Sequence, residues 1–375
     1  MDKVKLKMNY LRRLFGYGYR SLNNTKENVK DEMCLLTERP YYKPFLYEDF
    51  FRRWQKHEKV HWMPEECPMH DDINDWNNKL TKSQQTFLTN IFRFFTQGDI
   101  DVAGAYVMDF LPYFPQPEVR MMMLGFAARE AIHIHAYSYL IESIGMPETT
   151  YKEFFNFDAM KEKHDYVKRF SSSRAILNKG IHNLTIEDKE HIAASIALFS
   201  GFTEGMQLFS TFAMLLMFPL RGLMKRMGQI VSWSIIDETQ HTDGMIALFR
   251  VFVEENHDMD KVRLYKKIHN IAIEMVRLEE NFIRLVFKEI EGEDNGSAKD
   301  DFFGMTPDKL MDYIRYIADK RLEKMRLEPL FMVKSNPIPE LAIMIEAEDQ
   351  TNFFENNVIS YAKPSTRGNW SDVWA

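Results

Sequence analysis

Residues 128–140 read AREAIHIHAYSYL, and residues 233–249 read WSIIDETQHTDGMIALF. Each contains a Glu-x-x-His pair: Glu130 with His133, and Glu238 with His241. On a helix, side chains three apart share one face about one turn apart. Through the first stretch and its flanks, Met123, Ala127, Glu130, Ile134, Tyr137 and Ile141 recur at threes and fours. That period predicts an amphipathic helix whose buried stripe contains a carboxylate. Upstream, Phe92, Phe95, Asp99, Val102, Tyr106 and Phe110 repeat the pattern with Asp99 on the stripe. Glu204 lies in LFSGFTEGMQLFSTF, residues 198–212, with Gly201 and Leu208 at helical spacing. Four carboxylates and two imidazoles therefore fall on faces that should be buried. An unpaired buried carboxylate costs several kcal/mol or shifts its pKa; a metal centre supplies the missing charge.

Four Glu-x-x-His pairs occur in the chain, and their contexts separate them. Glu58/His61 lies in RRWQKHEKVHW and Glu254/His257 in VEENHDMDK, both dense in charge and readable as solvated helix faces. The other two pairs each follow an acidic residue on a neighbouring apolar helix. Asp99 precedes Glu130 by 31 residues and Glu204 precedes Glu238 by 34, so two half-sites repeat. One carboxylate from each of two helices, with Glu-x-x-His from each of two more, is the donor pattern of ferritin-like dimetal proteins. Oxygen-rich donors suit iron or manganese, whereas zinc and copper sites usually carry more nitrogen or sulfur. Such a bundle can store iron, oxidise a small organic substrate, or make a protein radical. Tyr137, four residues after His133, bears on the choice, although a core tyrosine has the same spacing.

Around these stretches the chain reads as almost entirely α. Helices are predicted near 46–60, 82–110, 117–144, 186–217, 221–256, 259–291 and 308–326, between clusters of the 14 prolines. The 375 residues are 45% hydrophobic and 14% aromatic, enough for a large core and unlike a disordered chain. One helical domain, residues 1–345 with an N-terminal extension, should precede a flexible tail at 346–375. Periodicity is lost there, in EDQTNFFENNVISYAKPSTRGNWSDVWA. A net charge of −7 gives no electrostatic case for nucleic acid. The basic start lacks a secretory apolar region, and no run of 18 apolar residues suggests a membrane span. Two cysteines are too few for a disulfide framework, which points to the cytoplasm.

The motifs resemble those of the small, radical-generating subunit of class I ribonucleotide reductase, over roughly residues 40–361. They are FFTQGD ending at Asp99, AREAIHIHAYSYL, TEG at Glu204, IDETQH, HWMPEE at 61–66, KSNPIPE at 334–340 and TNFFENNVISY at 351–361. The resemblance implies an all-α, ferritin-like bundle with a dimetal-carboxylate centre of two iron ions per chain, manganese being the alternative. Asp99, Glu130 and His133 would bind one metal; Glu204, Glu238 and His241 would bind the other. Reduced metals would activate dioxygen and oxidise Tyr137 to a neutral radical inside an apolar sheath that includes Leu208 and Phe212. Ribonucleotide reduction would occur on a large catalytic subunit, reached through Trp62, with Asp237 linking it to His133, and through Tyr361. The tail would dock on that subunit, with Trp370 and Trp374 as anchors. A homodimer and an activating flavoprotein or ferredoxin complete the implied partners, with no nucleic acid or membrane. Two departures stand out. Many relatives have Arg and Leu where this chain has Ile236 and Gln240, so hydrogen bonding around Asp237 should differ. The end, Trp-Ala, replaces a more familiar acidic terminus. A dimetal oxidase or monooxygenase, or an iron-storage protein, are the alternatives.

Overall fold

The computed structural model describes residues 34–171, 174–288, 302–339 and 341. No strand occurs among them. The helices are α1 (Glu48–Glu58), α2 (His70–Asn78), α3 (Lys82–Gly104), α4 (Pro117–Ser143), α5 (Asp158–Lys168), α6 (Arg174–Lys179) and α7 (Ile186–Ile196). They continue as α8 (Leu208–Leu216), α9 (Lys225–Glu255), α10 (Lys261–Lys288) and α11 (Pro307–Lys324). Two stretches are π-helical: Ala105–Phe110, which extends α3, and Ala197–Gln207, which joins α7 to α8. Wide turns of this kind are rare and recur at functional sites. Glu204 lies inside the longer one, so its neighbours do not follow the regular α spacing.

Local chemistry starts and orients these helices. Thr81 and Gln84 form a reciprocal capping box at α3, and Thr185 and Asp188 do the same at α7. Pro117 opens α4, where a missing N–H costs nothing. The start of α9 is capped from outside: Asp75 accepts from Met224 N at 2.9 Å, and Asp72 accepts from Arg226 N and Met227 N at 3.0 and 2.6 Å. Carboxylates satisfy free N–H groups and favour the positive end of the helix dipole. Both acids sit on α2, which the apolar period missed because HDDINDWNN is mostly polar. The charge-dense α5, DAMKEKHDYVK, was missed for the same reason; only Met160, Lys163 and Val167 are buried on it.

Helix α3 packs along α4, α1 lies on α4, and α9 and α11 pack on the Ala197–Gln207 segment. A Cβ at Gly125 of α4 would stand 2.9 Å from Glu58 Oε1 and 3.1 Å from Trp54 Cδ1, so glycine lets α1 close on α4. Buried Glu118 then ties down the entry to α1, accepting from Leu46 N and Tyr47 N at 2.7 and 2.8 Å. The predicted stripe of α3 is buried throughout. On α4 the prediction needs one correction: Ile134 is exposed. It is 100° around the helix from its neighbour His133, which faces inward with Met122, Phe126 and Glu130. A second correction concerns Ile186–Arg221, which does reach the length and apolarity of a membrane span. Its apolar window is wholly buried, as the central helix of a bundle is.

Candidate metal centre

Asp99 arrives from α3, Glu130 and His133 from α4, Glu204 from the π-helical segment, and Glu238 and His241 from α9. Each is at most 1% exposed. Their donor atoms gather in two overlapping groups, each within 4.8 Å: Asp99, Glu130 and His133, and Glu130, Glu204, Glu238 and His241. Glu130 belongs to both. His133 Nδ1 lies 3.3 Å from Glu130 and 3.1 Å from Glu238, and His241 Nδ1 lies 2.9 Å from Glu130 and 3.4 Å from Glu238. Two carboxylates thus reach both imidazoles, and both imidazoles turn Nδ1 inward.

The outer nitrogens are held differently. His133 Nε2 lies 3.2 Å from Asp237 Oδ2, and the same oxygen accepts from Trp62 Nε1 at 2.8 Å. Trp62 is buried, with its ring near-parallel to that of His133 at 6.0 Å. Asp237 Oδ1 accepts from buried Arg129 at 2.7 Å, so a guanidinium from α4 supplies the charge that Ile236 lacks. His241 Nε2 instead meets His57 Nε2 at 3.2 Å. Outer partners of this kind fix the tautomer and aim of a ligating histidine. Gln240 Nε2 donates to Ile236 O at 3.5 Å.

Tyr137 is 3% exposed, and its hydroxyl donates to Ser234 Oγ at 3.2 Å. Its ring stacks on Phe95 at 4.0 Å, and Phe95 stacks in turn on Phe212 at 5.8 Å. Leu208 is buried as well. Burial, reinforced by the Asp99 carboxylate, pushes the phenol pKa up, so Tyr137 keeps its proton. A second phenol also reaches the cluster: Tyr106 donates to both Glu204 oxygens, at 2.8 and 3.0 Å.

The electrostatics call for cations. Burial, then Glu130, raises Asp99 well above the carboxylate range, and burial raises Glu204 to about 8. Burial opposes charge on both histidines, yet the surrounding carboxylates raise each of them well above the usual value. Burial lowers His57 to about 2, so it is a neutral partner for His241. Among the described residues, Asp99 Oδ2, both Glu130 oxygens and Glu238 Oε2 are buried and accept no well-aligned hydrogen bond. Native proteins rarely leave such atoms orphaned. Two divalent ions would balance four carboxylates with both imidazoles neutral, and the oxygen-rich set suits iron or manganese. The cluster can hold a dimetal centre.

All six expected ligands, Tyr137, Trp62 and Asp237 come together in this region. Tyr361, Trp370 and Trp374 lie outside the described residues, as does the tail at 346–375. Glu58 and His61 are exposed, as their charged context implies. Sequence reasoning missed His57, Arg129, Tyr106 and Ser234. For His57 a signal existed, since Phe50, Trp54 and His57 share the inner face of α1. For Arg129 and Ser234, whose partners lie 108 and 97 residues away, there was none.

Comparisons with known proteins point to one family. A family profile described as "Ribonucleotide reductase, small chain" matches residues 39–337. The probable ribonucleoside-diphosphate reductase small subunit of Invertebrate iridescent virus 6 is 62% identical over 356 residues, covering 91% of this chain and 99% of the relative. In fold the chain is similar to a ribonucleotide reductase R2 subunit from Clostridium botulinum. There the TM-score is 0.67 at 18% identity, over 80% of this chain and 88% of that one. It is also similar to an R2-like ligand-binding oxidase with a reconstituted Mn/Fe cofactor. That match has a TM-score of 0.62 at 15% identity, over 76% of this chain and 94% of that one.

Proposed function

The chain belongs to the ribonucleotide reductase small-chain family, and on that premise we propose that it is the radical-generating subunit of a ribonucleoside-diphosphate reductase, with Tyr137 as the radical site. Asp99, Glu130 and His133 would hold one metal and Glu204, Glu238 and His241 the other. When bound, two iron ions, or manganese in their place, supply the dioxygen chemistry that takes one electron from a phenol. The observation that carries this reading is the setting of Tyr137. It stands one helical turn beyond His133, buried, stacked on Phe95, with its hydroxyl donating to Ser234. A phenol so enclosed can lose an electron and its Oη proton without meeting solvent or thiol. The protein's part is to place the phenol and exclude side reactions.

Onward transfer to a large catalytic subunit runs through Trp62, with Asp237 bridging it to His133, and leaves by Tyr361 in the C-terminal segment. Trp370 and Trp374 anchor that tail on the large subunit; buried aromatics are the usual hot spots of interfaces. The small subunit itself pairs with a second copy. Adjacent helices support this, because Ile100, Val107 and Met108, which belong to α3 and its π-helical extension, and Leu124 of α4 are exposed apolar side chains. Free thiols at Cys34 and Cys67 suit a reducing cytoplasm, where a flavoprotein or ferredoxin supplies the activating electrons.

An oxidase acting on a small organic substrate needs a pocket beside the metals. The space bounded by Val102, Tyr106, Phe110, Phe199 and Glu204 has no room for even a water-sized guest, far below the usual size of ligand sites. The deciding experiment is reconstitution with the large subunit. Tyr361→Phe should keep the Tyr137 radical and abolish deoxyribonucleotide formation; full turnover in that variant contradicts the exit through the tail.

A further inference from the structure

Between the metal pocket and Trp62 stands one carboxylate, Asp237, with three donors and two oxygens. Trp62 Nε1 and His133 Nε2 share Oδ2, at 2.8 and 3.2 Å. Arg129 Nη1 takes Oδ1 at 2.7 Å. The same guanidinium donates to Val60 O at 2.5 Å and reaches His57 O at 3.4 Å. Those two carbonyls belong to the chain leaving α1, two and five residues before Trp62. Arg129 itself is on α4, and Asp237 is on α9. One buried side chain therefore joins the segment that carries the indole to the carboxylate that receives it.

We propose that Arg129 is the positioning residue of the Trp62 route: it fixes both the Asp237 carboxylate and the Trp62 segment, so that one oxygen serves Trp62 and His133 together. The carboxylate torsion of aspartate is broad and roughly two-fold. With Oδ1 tied down, the plane cannot turn and Oδ2 stays between the two rings. Without that tie, rotation exchanges the oxygens and separates the two hydrogen bonds. The contact pattern also explains why the residue is arginine. A planar fork reaches a carboxylate and two carbonyls at once, whereas an ammonium is a compact point donor on a flexible stem. The side chain of Ile236, next to Asp237, has no donor, and the orienting charge comes from α4 instead.

This inference rests on the reading of Trp62 and Asp237 as the transfer route, and the test separates the two. The full chain, metal-free and ¹⁵N-labelled at its six tryptophans, reports each indole N–H, and Trp62→Phe assigns the Trp62 signal. In Arg129→Gln the Trp62 indole should exchange with solvent about tenfold faster or more, with Arg129→Lys between it and the parent. The other indoles should keep their rates. After ferrous loading in air, the Tyr137 radical yield should stay within about twofold, while turnover with the large subunit falls by about tenfold or more. Unchanged Trp62 exchange in both folded variants overturns the proposal, and so does a uniform rise at every indole, which would mean general loosening. If Arg129→Gln does not fold, Arg129→Lys decides alone by the same exchange criterion. Full turnover in Trp62→Phe overturns the route itself; faster exchange in Arg129→Gln would still uphold the hold of Arg129 on Asp237.

Discussion

Ser234→Ala removes the one hydrogen-bond partner that the described residues give Tyr137. Ser234 Oγ accepts from Tyr137 at 3.2 Å and spends its own hydrogen on Ile230 O at 3.1 Å. Alanine leaves the phenol hydroxyl orphaned where Tyr137 is 3% exposed, which costs about 1–3 kcal/mol. The better helix propensity of alanine returns roughly 0.5 kcal/mol on α9. The net loss is about 0.5–2.5 kcal/mol. Unfolding entropy of about 2.1 cal/mol/K per residue gives roughly 0.8 kcal/mol/K for this chain, so Tm should fall by about 1–3 °C. Calorimetry on the metal-free protein reads this directly, and a cycle with Tyr137→Phe isolates the pair. Tyr137→Phe removes the stranded donor, so the double variant should lose less than the sum of the singles by about 1 kcal/mol. Additive losses, or a Ser234→Ala protein that melts at the parent temperature, would refute the hydrogen bond as the feature that fixes the phenol.

Other consequences concern proton linkage and packing at the pocket. Glu204 holds its proton in the metal-free fold up to about pH 8, against 4.5 as its ordinary value, so the folded state binds more protons across that window. Stability then falls as pH rises, by up to about 1.4 kcal/mol per pH unit for each such group. The raised His133 and His241 act in the same direction above pH 6.5, while the lowered His57 opposes it only below pH 6.5. Metal-free Tm should therefore drop between pH 6.5 and 8 while ferrous affinity rises, since ligands must be deprotonated to bind; a flat or rising Tm across that range contradicts the assignment. Gly205→Ala would put a Cβ 2.7 Å from Ser200 O and 2.9 Å from Arg321 Nε, beside Glu204, with backbone that cannot yield. It should cost about 1–3 kcal/mol and weaken metal binding. Gly201→Ala meets only the flexible end of Met325 at 3.0 Å and should cost less; equal melting temperatures for the two variants would count against this packing.

Much of this architecture is legible in the sequence, for a physical reason. A long helix that buries one side repeats its apolar residues every three or four positions, so α3, α4, α9 and α10 announce themselves. Carboxylates at core positions are costly enough to be conspicuous, and Asp99, Glu130, Glu204 and Glu238 stood out on that ground. What the period cannot see is a short polar helix whose task is to cap another. The aspartates of α2 look like surface charge until the backbone N–H groups that donate to them are seen at the start of α9. Nor can it see a contact made across helices. Arg129 reads as the polar residue before a ligand, and its three partners emerge only when α1, α4 and α9 are packed. The π-helical stretch around Glu204 is hidden for a third reason: a change of turn width leaves composition untouched. Ile134 shows the converse error, an apolar residue assigned inward by spacing though it faces outward.

The account stands most directly on the electron paramagnetic resonance spectrum of the full chain after loading with ferrous iron in air. It predicts a tyrosyl radical signal, with about two metals per chain, that disappears in Tyr137→Phe while the metal content stays the same. The same signal persisting in Tyr137→Phe, or no radical from a protein carrying both metals, would contradict it.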